Sequence, residues 1–306
     1  MPDVAAFYVA QSGFSTPGGL ATLYADLPMD LARLASIVRG LMIHRWEGDR
    51  FRYDIPRDRL HNDAETRYAD DILAIIVGRN DEPLARRREP DDRFVGVCRD
   101  FALLYCSFLR HVGIPARLRS GFAAYLGPAG FHVDHMVTEY WDDERGWCLS
   151  DPQLADVMIA EPLRVDFDPL DIPRDRFLVA GRAWRMLRTG EADPRAFGLH
   201  FPGRIMSGEG FVAGNLLLDI AALNKMETLL WDVWGAIADI DHGITEADRE
   251  LYDHIAALTA DDVPFGEVRK AFVENERLRT PAMVLSLAPF NGPRDVTLRE
   301  EVFADV

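Results

Sequence analysis

Lysine is almost missing from this chain. Of 34 basic residues only Lys225 and Lys270 are lysine, and the rest are arginine. With abundant Ala and Asp, that bias fits a high-GC bacterial genome. Cysteine is scarce as well: Cys98, Cys106 and Cys148 are an odd number, too few for a closed disulfide framework. No CxxC spacing and no flanking His pair suggests zinc, so a reducing compartment and no metal are expected. No apolar run approaches the roughly 18 residues that cross a bilayer. No basic residue precedes Arg33, and Asp3 sits where a secretion signal would be positive. A cytoplasmic location follows as the expectation. Positive charge is in deficit overall, with 50 acidic against 34 basic residues and a formal charge of −16. Such a surface repels nucleic acid and anionic lipid, so neither is an expected partner. The dense basic run Arg86-Arg87-Arg88 lies among Glu82, Glu89, Asp91 and Asp92 and reads as a solvated loop. Neither P-loop nor dinucleotide spacing occurs, and no cofactor is expected.

What is present is enough for a sizeable core: 306 residues, 48% hydrophobic and 27% charged. The stretch from Gly13 to Pro28 reads as loop. Asp30 can cap a helix running to about Trp46, and Thr66 to Val77 carries a second apolar helical face. The polar, proline-containing segment from Gly78 to Val95 predicts an exposed loop. From Val97 to Val112, Phe101, Leu104, Tyr105, Phe108 and Leu109 recur at helical spacing, and Gly113 supplies a stop. Alternation then marks strands over 116–125, 133–141 and 147–150, the last two joined by the turn Asp142–Gly146. Helices return in the tail, notably over Leu216–Ile240 and Glu246–Leu258. Helices, then a helix feeding antiparallel strands, then helices again is an α+β order.

Cys98 stands at the predicted start of the central helix. Unpaired N–H groups and the positive end of the helix dipole lie there. Both favour a thiolate, the nucleophilic form, and the same N–H groups can hold an oxyanion. Cys106, mid-helix, and Cys148, in a strand, read as small buried hydrophobes. On the strand 133–141, His135 shares a face with Val133, Val137 and Glu139. A register pairing Glu139 with Trp147 puts His135 directly opposite Asp151, and one shifted by two makes them diagonal neighbours. Either register lets one carboxylate hold one ring nitrogen and leave the other for the thiol, as nucleophile, base and orienter require. His132 is the competing base, but alternation turns it to the other face. His44 is a weaker candidate for a substrate or oxyanion contact. Phe211, Trp231 and Trp234 read as core.

These residues carry a resemblance. Gly96-Val97-Cys98-Arg99-Asp100-Phe101, with Gly113-Ile114-Pro115-Ala116-Arg117, resembles the cysteine-helix signature of the transglutaminase-like superfamily. So does the series His135, Glu139-Tyr140-Trp141, Gly146-Trp147 and Asp151-Pro152. The resemblance implies a papain-like α+β core, a cysteine helix packed on an antiparallel sheet that carries His and Asp. Pro17-Gly18-Gly19 and Trp231-Asp232-Val233-Trp234-Gly235 resemble standalone bacterial members. The expected organisation is one globular unit over 1–306, with a catalytic core over 30–185 and a helical extension over 205–280. That extension could also offer a homodimer surface. The absence of an obvious calcium loop sets the chain apart from the calcium-dependent cross-linking members.

The expected enzyme is a cysteine acyltransferase or hydrolase working through a Cys98 thioester. Its partners are an acyl donor and an amine or small-molecule acceptor, with water as the alternative that would make it an amidase or peptidase. A non-catalytic binding module is a third reading, against which the intact Cys98, His135 and Asp151 set argues. The triad is common to both acceptors and does not choose between them.

Overall fold

In the computed structural model, residues 4–201 and 204–304 are described; Asp3, used above to read the N-terminus, lies outside them. The chain forms two compact units that alternate along the sequence. One comprises the chain up to Leu118 together with Val137–Ile172, and the other Arg119–Met136 with the chain from Pro173 on.

The first unit holds helices α1 (Val4–Val9), α2 (Leu31–Leu41), α3 (Arg57–Asn62), α4 (Ala69–Arg79), α5 (Cys98–His111) and α6 (Val157–Ala160). Its strands are β1 (Met42–His44), β2 (Phe94–Gly96) and β5 (Gly146–Ser150), with the ends of β3 (Ala116–Ala123) and β4 (His132–Asp142) that fall in it. Asp30 caps α2, its carboxylate accepting from the Arg33 N–H at 2.8 Å, worth about 1 kcal/mol. The helix stops at Leu41, short of Trp46, because Met42-Ile43-His44 pairs in parallel with Phe94-Val95-Gly96. Three buried apolar or aromatic residues fit a strand as well as a helix, and the partner strand decides. That partner also changes the segment before Val95. Leu84 and Arg88 are buried there, and Arg88 donates to the Pro83 and Arg86 carbonyls at 3.1 and 2.7 Å and to that of Glu82. The basic run is therefore partly an internal brace rather than a wholly solvated loop.

Helix α5 is buried on every side from Cys98 to Arg110. Phe101, Leu104, Tyr105, Phe108 and Leu109 supply the apolar burial, roughly 1.5–3 kcal/mol each. Its polar side chains are satisfied internally, as burial demands. Ser107 donates to the Ser15 carbonyl at 2.6 Å, and Arg110 reaches the Ala116 carbonyl at 3.0 Å and Ser15 Oγ at 2.8 Å. Thr138 on β4 donates to the Ala102 carbonyl at 3.0 Å, tying the helix to the strand. β4 and β5 pair antiparallel with Glu139 facing Leu149 and Trp141 facing Trp147. This is the register shifted by two from the one that pairs Glu139 with Trp147. On the same strand Glu139 takes a 2.7 Å bond from buried Arg117, whose guanidinium lies 3.8 Å from the Trp147 ring centroid.

The second unit contains α7 (Ala180–Thr189), α8 (Glu209–Leu223), α9 (Gly235–Asp239), α10 (Glu246–Thr259) and α11 (Phe265–Glu274). β6 (Phe177–Val179) pairs antiparallel with β3, β7 (Phe197–Phe201) pairs parallel with β4, and β8 (Arg204–Ser207) pairs antiparallel with β7. β9 (Asp232–Val233), β10 (Met283–Ser286) and β11 (Arg294–Thr297) make a separate antiparallel sheet. At Gly198, φ is +154°, and a Cβ would stand 1.9 Å from the Met206 carbonyl oxygen, so only glycine fits. The helix expected over Leu216–Ile240 ends at Leu223. Lys225 takes a left-handed φ of 62°, and the amides of Asn224, Lys225 and Met226 close back on the Ala221 and Ala222 carbonyls. Arg119 holds Asp219 of α8 with two bonds of 3.0 and 2.9 Å, and both side chains are fully buried.

Candidate active site

Cys98 is the first residue of α5 and is buried, following the extended N-cap Val97, which offers no side-chain hydrogen bond. Local sequence sets this geometry. Asp100, in the first turn, reaches back to accept the Val97 N–H at 2.9 Å and also takes Arg99 Nη1 at 3.1 Å. Asp100 is wholly buried, and burial pushes its carboxyl up to about 6 against the opposing pull of Arg99. Arg99 is anchored further by the Arg67 carbonyl at 2.5 Å. Gly96 precedes this turn because a Cβ there would meet Asp100 Oδ2 and Met42 Cε, each at 3.0 Å.

His44 sits beside the nucleophile's approach strand, not at a helix end. It pairs with Gly96, two residues before Cys98, is buried, and its Nδ1 accepts the Trp46 N–H at 3.3 Å. Nearby lies a buried polar relay with no signal in the sequence. Glu47 accepts Arg39 Nη2 at 2.6 Å and the His44 N–H at 3.1 Å, while its other oxygen takes Gln153 Nε2 at 3.0 Å. Gln153 belongs to the turn that Asp151 starts. Asp151 is buried, accepts the Gln153 N–H at 3.0 Å and donates its own N–H to the Pro169 carbonyl at 2.8 Å. The Asp-Pro pair thus starts a single 3₁₀ turn, Pro152–Leu154, on a carboxylate cap.

In the second unit, His135 lies on β4, buried, with Tyr125 and Phe177 edge-on at 6.1 and 6.4 Å between ring centroids. His132, the competing base, is used otherwise. Its ring stacks on Phe197 at 4.8 Å, an N–H bonds the Ala196 backbone, and burial lowers its pKa. Cys106 and Cys148 are buried, Cys148 donating weakly to the Gly146 carbonyl at 3.6 Å, and no disulfide joins the three cysteines. Phe211 lines a cavity, and Trp234 is buried with its Nε1 on the Leu278 carbonyl at 3.1 Å. Among the described residues, no group of three or more His, Cys, Asp or Glu could hold a metal ion. No helix among them is long and apolar enough to cross a membrane.

Residues 76–152 match the model of the transglutaminase-like superfamily, whose members include cysteine enzymes. The matched segment contains Cys98, His135 and Asp151. A curated relative, a protein-glutamine gamma-glutamyltransferase of Pseudomonas aeruginosa, is 32% identical over 100 residues. That match covers 26% of this chain, which spans only 15% of the relative's length. Among solved structures, a "Putative Cysteine Protease from Cytophaga hutchinsonii" is similar with a TM-score of 0.32 and 17% identity, over 50% of this chain and 43% of that one.

Proposed function

We propose that Cys98, His135 and Asp151 act together as nucleophile, base and orienter in thiol-dependent acyl transfer, with an amine or small molecule as acceptor. The observation that carries this reading is the placement of Cys98 as first residue of a long buried helix whose N-cap offers no side-chain bond. A thiolate there faces the positive end of the helix dipole, and the Cys98 N–H is aligned to meet an oxyanion.

In the first half-reaction the Cys98 sulfur bonds the acyl carbon, and the carbonyl becomes an oxyanion. The leaving group departs with a proton from His135, leaving a thioester. An amine then attacks the thioester carbon, gives its proton to His135 and expels the thiolate. Support for an amine acceptor comes from the gamma-glutamyltransferase relative, within the 26% of this chain that it matches. The absence of disulfides among the cysteines supports a cytoplasmic setting.

Intact-mass measurement tests this. The protein is incubated with acyl donors, an adduct on Cys98 is sought, and amines or water are added to follow its loss. Discharge by amines much faster than by water is the expected result. An adduct that forms equally on Cys98→Ala overturns the nucleophile, and discharge by water alone makes the protein an amidase or peptidase.

A further inference from the structure

The second unit contains a cavity of about 280 Å³ that the acyl-transfer reading does not use. Its walls come from α8, α9, β9, β10 and β4, and among the described residues they are apolar apart from two side chains, Asp134 and Asn215, of which Asp134 alone is charged. Alternation along β4 turns Asp134 to the face opposite His135, so the cavity lies across the sheet from the histidine.

Asp134 is incompletely satisfied. Asn215 hydrogen-bonds the carboxyl, but Oδ1 is shielded from solvent and has no partner. Oδ1 itself is closed to a water molecule, so the rest of the Asp134 side chain is what meets the cavity. Asn215 is itself fixed, its Oδ1 accepting Ser120 Oγ at 2.6 Å and its Nδ2 donating to the Phe211 carbonyl at 3.3 Å. The Ser120 N–H in turn bonds Asp219, which Arg119 clamps. The acceptor is therefore held on a rigid support, as a binding site requires. Gly214 leaves room above it, with Ile240 Cδ1 the nearest atom to a hypothetical Cβ, at 3.7 Å.

We propose that this cavity binds a small primary amine with an apolar body, its ammonium on the Asp134 carboxylate where it lines the cavity and its hydrocarbon against Phe211, Leu218 and Ile237. The volume is near the lower end of small-molecule pockets, enough for an aryl-ethyl or hexyl group. The choice of a cation follows from the single carboxylate and from a chain of net charge −16, which draws cations and repels anions. Burial pushes the Asp134 carboxyl up to about 6, with the Asn215 bond and the charge of His135 pulling the other way. The site does not depend on Cys98 being a nucleophile.

Calorimetric titration of the full chain with 2-phenylethylamine, 2-phenylethanol and 3-phenylpropanoate tests the proposal. Saturable binding in the order amine, alcohol, acid is expected. Asp134→Asn is expected to weaken the amine about tenfold or more while leaving the alcohol little changed. Gly214→Leu, which fills the cavity, should remove all three. Cys98→Ala should bind the amine as the natural chain does. Equal binding of amine and acid, an amine unaffected by Asp134→Asn, or no saturable binding of the amine overturns the proposal. The ligand series on the unmutated chain keeps the test valid even if a variant folds poorly. Loss of amine binding in Cys98→Ala would assign the amine to the acyl-transfer site and overturn the separate one.

Discussion

Asp100 and Asp134 are both pushed up to about 6 by burial, yet the two units treat them differently. Asp100 is saturated by its own chain: the Val97 N–H fixes the start of the cysteine helix and Arg99 supplies the counter-charge. Asp134 has one amide partner and one shielded oxygen without a donor, on a side chain that lines a cavity. The same desolvation cost therefore serves two ends. In the first unit it is spent on holding a backbone turn; in the second it leaves an acceptor in place for something outside the chain.

The comparison can be broken by mutation, and the largest effect belongs to the unit that holds the thiol. Cys98→Ala should abolish the acyl adduct and lower turnover by about a thousandfold or more, measured by intact mass and steady-state kinetics. Asp100→Ala should come next, destabilising the fold by about 3–5 kcal/mol in urea unfolding, because the buried Arg99 loses its carboxylate counter-charge. Gly96→Ala should cost about 1–3 kcal/mol, since the new methyl presses on Asp100 and Met42. The smallest change should have the opposite sign. With its folded pKa raised, Asp134 contributes most below the ordinary carboxylate range and loses that contribution as pH rises through about 6. Asp134→Asn, which does not titrate, should therefore match the natural chain near pH 4 and exceed it by about 1 kcal/mol at pH 8. Equal melting of the two proteins at pH 8 would mean that burial does not hold the Asp134 carboxyl above its ordinary range.

Cys98 at a helix start and the cap at Asp30 were legible because both are local: a few residues fix the turn without outside help. The strand pairing was legible only to within a shift of two, since parity fixes the face of a strand but not its partner. His44 was misplaced because three buried residues, Met42 to His44, suit a helix end or a strand equally. Only β2, some fifty residues on, decides between them. The break at Lys225 escaped notice because an apolar run carries no sign of a left-handed residue. Arg88 looked solvated because charge in sequence says nothing about which carbonyls curl around it. Glu47 and Gln153, and the cavity at Asp134, were out of reach for one reason. Their members come from segments far apart in the chain, and no spacing rule connects them.

The alternation of the units also sets a timetable for synthesis. The chain passes between them after Leu118, Met136 and Ile172. The first unit is complete in sequence once Ile172 has left the ribosome, whereas residues 119–136 must wait for the chain from Pro173 onward. At elongation rates of about 5–20 residues per second that wait is on the order of ten seconds. During it the cysteine helix can be packed while Phe177, one of the two rings flanking His135, is only emerging. Nascent chains stalled shortly after Ile172 should therefore resist proteolysis around α5 and be cut between Arg119 and Met136. The cysteine helix would be packed well before His135 acquires its surroundings.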